Sequence, residues 1–391
     1  MKLCKPTIVV IAYNRDKALK RLLQSIARAE YPDDDIRLVI SVDKSDNEKV
    51  ANIADEFEWK FGEKIVLKRD KNMGLKAHVL SCGDLTAQYG SVIMLEDDLY
   101  VSKAFYQYSI KALEFCEADD RIAGISLYNH LLNVHAREPF EAINDGYDNW
   151  YFQFASSWGQ AFSKDQWDGF KKYMIENGGK DIVADNVPLN VSSWSAKSWL
   201  KYYIKYMIEN DLYFLYPRVS LTTNFSEEGT HADSASDDLQ VAMLSGAKAS
   251  WNFSTLDESE SKYDAFFENV GLKKVIAGII NDVGEGNIAK SDIVVDLYGY
   301  KSATSKLNGA KYLLTSAARN NRIVKKYGRH FRPIDANIAE NLEGEEFFLY
   351  DLSSDGVEPK IDNSKKLLYN YRAFKAKYGI DIILKRLKGL R

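Results

Sequence analysis

Cysteine is scarce in this chain, with three in 391 residues. Cys4, Cys82 and Cys116 are odd in number and have no metal-ligand spacing, which argues against a disulfide framework or a zinc-type cysteine site. They read as reduced residues of a cytoplasmic protein. Long apolar runs are missing as well, and none approaches the roughly 18 residues that cross a bilayer. Lys2 and Lys5 precede the apolar stretch 7–12, which is too short for a leader's hydrophobic region and has no small-residue cleavage site. Internal repeats and extended low-complexity segments are absent. So is an excess of positive charge: the net charge is −4. Nine of the 52 Lys and Arg fall between Lys365 and Arg391 with Asp381 the one acid there, leaving 43 bases against 55 acids elsewhere. An acidic body with a basic tail argues against general nucleic-acid binding. The tail suits an anionic partner such as a membrane face.

What is present is an ordinary globular composition, 46% hydrophobic and 28% charged, in a chain long enough for two or three domains. The 7 Trp and 24 Tyr suit a carbohydrate site, and suit a core equally. Over the first 130 residues, strand-like and helix-like patterns alternate. Strands are expected at 7–12, 36–42, 65–67, 92–95 and 122–127. Helices are expected at 16–30, around Val50 to Phe61, at 75–88 and at 102–116. Such alternation predicts an α/β fold with a mainly parallel sheet flanked by helices. From about 130 to 250 the chain is aromatic and loop-rich. Residues 252–264, rich in Ser, Asp and Glu, read as a linker, and 265–391 as a mixed and helical accessory region.

The fourth strand runs straight into Glu96, Asp97 and Asp98. Three consecutive acids repel one another and become favourable around a hard divalent cation such as Mg²⁺ or Mn²⁺. The competing reading is a solvated acidic turn opening the next helix. Neighbouring strand ends carry Tyr13-Asn14-Arg15 and Asp43, and ligands of such sheets sit at these carboxyl ends. That convergence favours a site.

In order and placement, TIVVIAYNR at 7–15, Asp43 and LEDDL at 95–99 resemble a GT-A nucleotide-sugar glycosyltransferase. The resemblance is to bacterial enzymes related to family 2 and to N-acetylglucosaminyltransferase I-like enzymes, with Glu-Asp-Asp-Leu as a variant of the Asp-x-Asp motif. It covers roughly residues 5–240. It implies that Asp98 ligates Mn²⁺ or Mg²⁺ at the donor's two phosphates, with Asp97 on the ribose or the metal's water shell and Glu96 orienting the site. It further implies that Asp43 accepts from the base N–H of a UDP-sugar, that Arg15 lies against the pyrophosphate, and that Ala12, Tyr13 and Asn14 form the floor under the nucleoside. Asn14 and Asp16 are also candidate helix caps. Asn72, Gly74 and Lys76 resemble the family's Asn-x-Gly loop on the donor side. There glycine permits close approach to a ligand and Lys76 could meet a phosphate or sugar; a plain turn is the competing reading. Trp158 and Gly159 fall in the segment that carries the acceptor side, although Trp158 and Trp167 equally suit a core. The turn Gly229-Thr230-His231 matches one in bacterial members, with His231 as a third metal ligand or a pyrophosphate contact. His78, His130, His135 and His330 lack such context.

An inverting transferase needs a carboxylate to take the acceptor hydroxyl's proton. The resemblance implies an acid ahead of a helix with a tryptophan, but the matching stretch, 192–199, contains none. Asp185 is the expected base. Asp181, Asp165 and Glu228 are the alternatives. The basic, amphipathic tail 365–390 suits either peripheral contact with the inner face of the cell membrane or docking on its own protein. Together these expectations describe a metal-dependent transferase moving sugar from a UDP-sugar to a glycan or lipid-linked glycan acceptor in bacterial surface polysaccharide synthesis. The rivals are a sugar-phosphate nucleotidyltransferase and a catalytically silent nucleotide- or glycan-binding relative. The first is disfavoured because the loop after the first strand contains no glycine.

Overall fold

The computed structural model describes residues 5–180, 182, 186–225, 239–248, 250–282, 288–301, 307 and 309–360. The chain forms two compact units. The first comprises residues 1–272 with 300–306, and the second 273–299 with 307–391.

The first unit opens with β1 (Thr7–Ala12), α1 (Asp16–Ala27), β2 (Leu38–Val42), α2 (Glu48–Glu56) and β3 (Lys64–Lys68). α3 (Leu75–Gly83) and the single-turn α4 (Thr86–Tyr89) lead into β4 (Ser91–Glu96). The short β5 (Leu99–Val101), α5 (Phe105–Cys116) and β6 (Ile122–Ser126) follow, then the small hairpin β7 (Leu132–Asn133) and β8 (Glu138–Pro139). β9 (Asn149–Phe152), β10 (Gln160–Ser163), α6 (Lys164–Asn177), α7 (Leu189–Ser192), α8 (Leu200–Glu209), β11 (Tyr213–Pro217), β12 (Thr222–Asn224) and β13 (Lys262–Tyr263) complete it.

Nine of these strands make one sheet in the order β13-β9-β11-β6-β10-β4-β1-β2-β3. β4, β1, β2 and β3 run parallel, and β10 enters antiparallel between β4 and β6. β1, β2 and β4 are mostly apolar and almost wholly buried because both faces are covered, with Thr7, Ser41, Ser91 and Glu96 the polar positions. Ile8, Val10, Ile40 and Leu95 pack on one side, with Leu19, Leu22 and Ile26 of α1 in the same core. Val9, Ile11, Met94 and Phe162 pack on the other, in a core rich in aromatic rings. Register aligns the strand ends: Ile11 pairs with Glu96 and Ala12 with Val42. The functional edge follows directly from that alignment.

The expected parallel α/β sheet is present. The 75–88 helix is divided into α3 and α4, and α1 has no side-chain cap, so neither Asn14 nor Asp16 caps it. Residues 252–264 are not a linker. Ser254, Ser259 and Ser261 are buried, Asn149 bonds to Ser254, and β13 adds to the sheet beside β9. Tyr300 and Lys301 belong to the first unit as well. The ammonium of Lys301 binds Asp264 and, at 2.9 Å, Glu268.

In the second unit, described through residue 360, α9 (Leu272–Asp282, all but its first residue) precedes β14 (Ile293–Asp296), β15 (Tyr312–Thr315), β16 (Asn321–Tyr327), α10 (Ile334–Ala339) and β17 (Phe347–Asp355). Its sheet order is β14-β15-β17-β16, with β14 and β15 parallel and the other pairs antiparallel. Among the described residues this region is chiefly sheet. The basic tail lies outside them. Among the described residues no helix is long and apolar enough to cross a membrane.

Candidate active site

Because β1 and β4 are neighbours in register, the loop after β1 faces the acids after β4. Arg15 forks across two of them. One terminal nitrogen donates to Asp97, and the other donates to Asp98 Oδ2 at 3.0 Å. The backbone N–H of Tyr13 donates to Asp97 Oδ2 at 3.4 Å. Tyr13 itself is exposed, and Asn14 offers its carbonyl to Asn47 at 2.9 Å.

Burial, and then the nearby Asp98 and Asp97, push the Glu96 carboxyl up to about 8, so it holds its proton at neutral pH. Burial raises Asp97 to about 6, with Arg15 pulling it back down. The guanidinium of Arg15 stays charged because Asp97 and Asp98 outweigh its own burial. Arg15 thus brings one positive charge to a cluster in which Glu96 is protonated. The buried Asp98 Oδ1 has no hydrogen-bond partner, which is costly for a carboxylate oxygen. An unpaired hard oxygen at the mouth of an acidic cluster fits a divalent cation. Among the described residues no group of three His, Cys, Asp or Glu is assembled to hold one.

Asp43, at the end of β2, is buried and clamps the next loop. It accepts from its neighbour Lys44 N at 2.9 Å, from Met73 N at 2.9 and 3.1 Å, and from Gly74 N at 3.1 Å. These are four contacts from three donors, two on each oxygen, with the Met73 N–H shared between both. Gly74 has φ of 76°, so glycine is needed for this loop to reach Asp43. Asn72 ties the loop to Lys44 O at 3.1 Å. Lys76, in the first turn of α3, lies over the ring of Tyr202 on α8.

On the far side of β4, Trp158 is half-buried with its ring 4.7 Å from Tyr128, and its carbonyl accepts from Thr222 Oγ1 at 2.6 Å. Gly159 has φ of 92°, and a Cβ there would come within 2.8 Å of Thr222, so packing alone demands the glycine. Trp167 is a core residue whose indole donates to Asp84 at 3.0 Å.

Residues 7–164 match the model of glycosyl transferase family 2. The match covers less than half of the chain and marks this segment as similar to that family. The chain is similar to two solved structures. S. aureus TarS 1-349 in complex with UDP-GlcNAc is 13% identical with a TM-score of 0.38, over 59% of this chain and 61% of that one. The mannosyltransferase PcManGT from Pyrobaculum calidifontis, in complex with GDP-Man and Mn2+, is 15% identical with a TM-score of 0.30, over 44% and 53%. The chain therefore spans little more than half the length of each. No curated protein matches it.

This strand-end edge thus brings together Ala12 to Arg15, Asp43, Asn72, Gly74 and the three acids. Asp185, Asp181, Glu228 and His231 lie outside the described residues. Asp165 sits in the first turn of α6, behind the capping box formed by Ser163 and Gln166. Ser157, which hydrogen-bonds Glu96, and Lys201, whose Nζ donates to Trp194 O at 2.9 Å, carry no signal in the sequence. The buried His78 is bonded to Ser41 at 2.7 Å beneath this edge.

Proposed function

We propose that the protein is a glycosyltransferase that takes a UDP-sugar as donor and transfers the sugar, with inversion, to a glycan or lipid-linked glycan acceptor of bacterial surface polysaccharide synthesis. The observation that carries this reading is the pairing of Arg15 with Asp97 and Asp98 while Asp98 Oδ1 stays unpartnered. Asp98 would hold Mn²⁺ or Mg²⁺, with His231 as a further candidate ligand. The ion's chemistry, when bound, is to offset charge on the leaving diphosphate.

This chain's own residues supply the rest. Arg15 faces the phosphates with a fixed positive charge and holds Asp97 in place. Asp97, anchored also by Tyr13 N–H, faces the ribose. Glu96 keeps its proton and bonds Ser157, so it orients the site without adding a third charge. Asp43 accepts from the uracil N–H on an oxygen that it shares with the bifurcated Met73 N–H, and Ala12 to Asn14 floor the nucleoside. Trp158 faces the acceptor. Asp185 is the proposed base for the acceptor hydroxyl.

The decisive experiment is a thermal-shift titration with UDP and other nucleotides, with and without Mn²⁺. Stabilisation by UDP that requires the metal is expected, and Asp98→Asn should remove it and lower transfer at least about 100-fold. Stabilisation by a different nucleotide in place of UDP would overturn the donor assignment.

A further inference from the structure

Lys76 and Lys201 stand on two different helices and share one aromatic ring. Their ammonium groups lie 4.3 and 5.4 Å from the Tyr202 ring centroid, so no more than 9.7 Å separates them. Lys201 is only 6% exposed, and one of its three donors is used, on Trp194 O at 2.9 Å. Lys76 is half-buried in the first turn of α3, where free backbone N–H groups add positive potential. Neither lysine has a carboxylate partner among the described residues, whereas Lys205, one turn along α8, pairs with Glu209 at 3.4 Å. Two ammonium groups brought this close, one of them buried, repel each other and leave donors unsatisfied. An anion between them removes both costs.

We propose that Lys76 and Lys201 form an anion subsite for a phosphate group carried by the acceptor. The inference rests on the glycosyltransferase reading above. Phosphate could reach these lysines from two sources, the donor's diphosphate and the acceptor. The acceptor is favoured because the diphosphate already has Arg15 and Asp98 at the ends of β1 and β4. Lys201 and Trp194 instead belong to the 189–209 segment, which contributes neither of those strand ends. Lys76 is placed to serve this subsite because Asp43 fixes the Met73-Gly74 turn immediately ahead of it. The acceptors that fit are those that carry a phosphate or phosphodiester group next to the accepting sugar.

The test is calorimetric titration of the full chain with inorganic phosphate, and separately with UDP plus Mn²⁺. Saturable phosphate binding that survives saturation with UDP is expected. It should weaken at least about tenfold in Lys76→Met and in Lys201→Met. Lys205→Met is the control and should bind phosphate as the parent does. UDP affinity should be unchanged in Lys201→Met. If UDP displaces the phosphate, or Lys201→Met loses UDP, the lysines serve the donor and the proposal falls. Absence of saturable phosphate binding, or equal weakening in Lys205→Met, also overturns it. Failure of the parent chain to bind UDP would sink the donor assignment instead, and phosphate binding lost in both lysine variants would still support the subsite.

Discussion

Asp43 shows how one side chain can hold a loop and still serve a ligand. Its carboxylate meets the N–H groups of residues 44, 73 and 74, and Asn in its place would turn an N–H₂ toward one of those donors. Asp43→Asn is expected to cost about 2–3 kcal/mol in urea unfolding and to weaken UDP binding together with it. Asp97, Asp98 and Arg15 were legible as a group in the sequence because strand ends of a parallel sheet converge, whatever the rest of the chain does. The clamp by Asp43 was not legible. Its partners are backbone groups thirty residues away, and backbone donors look alike in every sequence. The same holds for Lys201, which reads as an ordinary helix lysine until α8 is packed.

At the scale of elements, apolar patterning located β1, β2, β3, β4 and β6 because buried parallel strands are continuous apolar runs. It could not see where the 75–88 helix is interrupted, since that depends on what packs there. A Cβ on Gly83 would lie 2.0 Å from the Trp167 ring, which is itself fixed by its bond to Asp84. Gly83→Ala should therefore destabilise by about 1–3 kcal/mol despite alanine's better helix propensity, as read from the urea midpoint. Residues 252–264 failed as a linker for a related reason. Ser and Asp suit solvent by composition, but here the hydroxyl of Ser259 finds Asp145, and Ser254 finds Asn149. Polar residues can be buried wherever another segment supplies their partners.

At the scale of the molecule, buried histidines make the fold sensitive to acid. Burial lowers His78 to about 4 and His130 to about 3. Unfolded, each would titrate near 6.5, so between these values the unfolded chain binds more protons than the folded one. Their stabilising contribution is complete above about pH 6.5 and is lost as pH falls toward 4. His78 alone accounts for a change on the order of 3 kcal/mol. Urea midpoints at pH 7 and 4.5 should differ, and His78→Gln should narrow the difference because it keeps a hydrogen-bonding group for Ser41 without titrating.

Lys301 carries a consequence for biosynthesis. Asp264 and Glu268 reach the ribosome's exit well before the lysine that neutralises them, because all of 273–299, assigned to the second unit, is made in between. Strict N-terminal-first folding, unit by unit, is therefore unavailable to this chain. The first unit must wait with two acids uncompensated until part of its successor has been synthesised. Lys301→Met makes that waiting state permanent. It should cost about 3–5 kcal/mol by equilibrium unfolding and lower the yield of soluble chain made by translation in vitro.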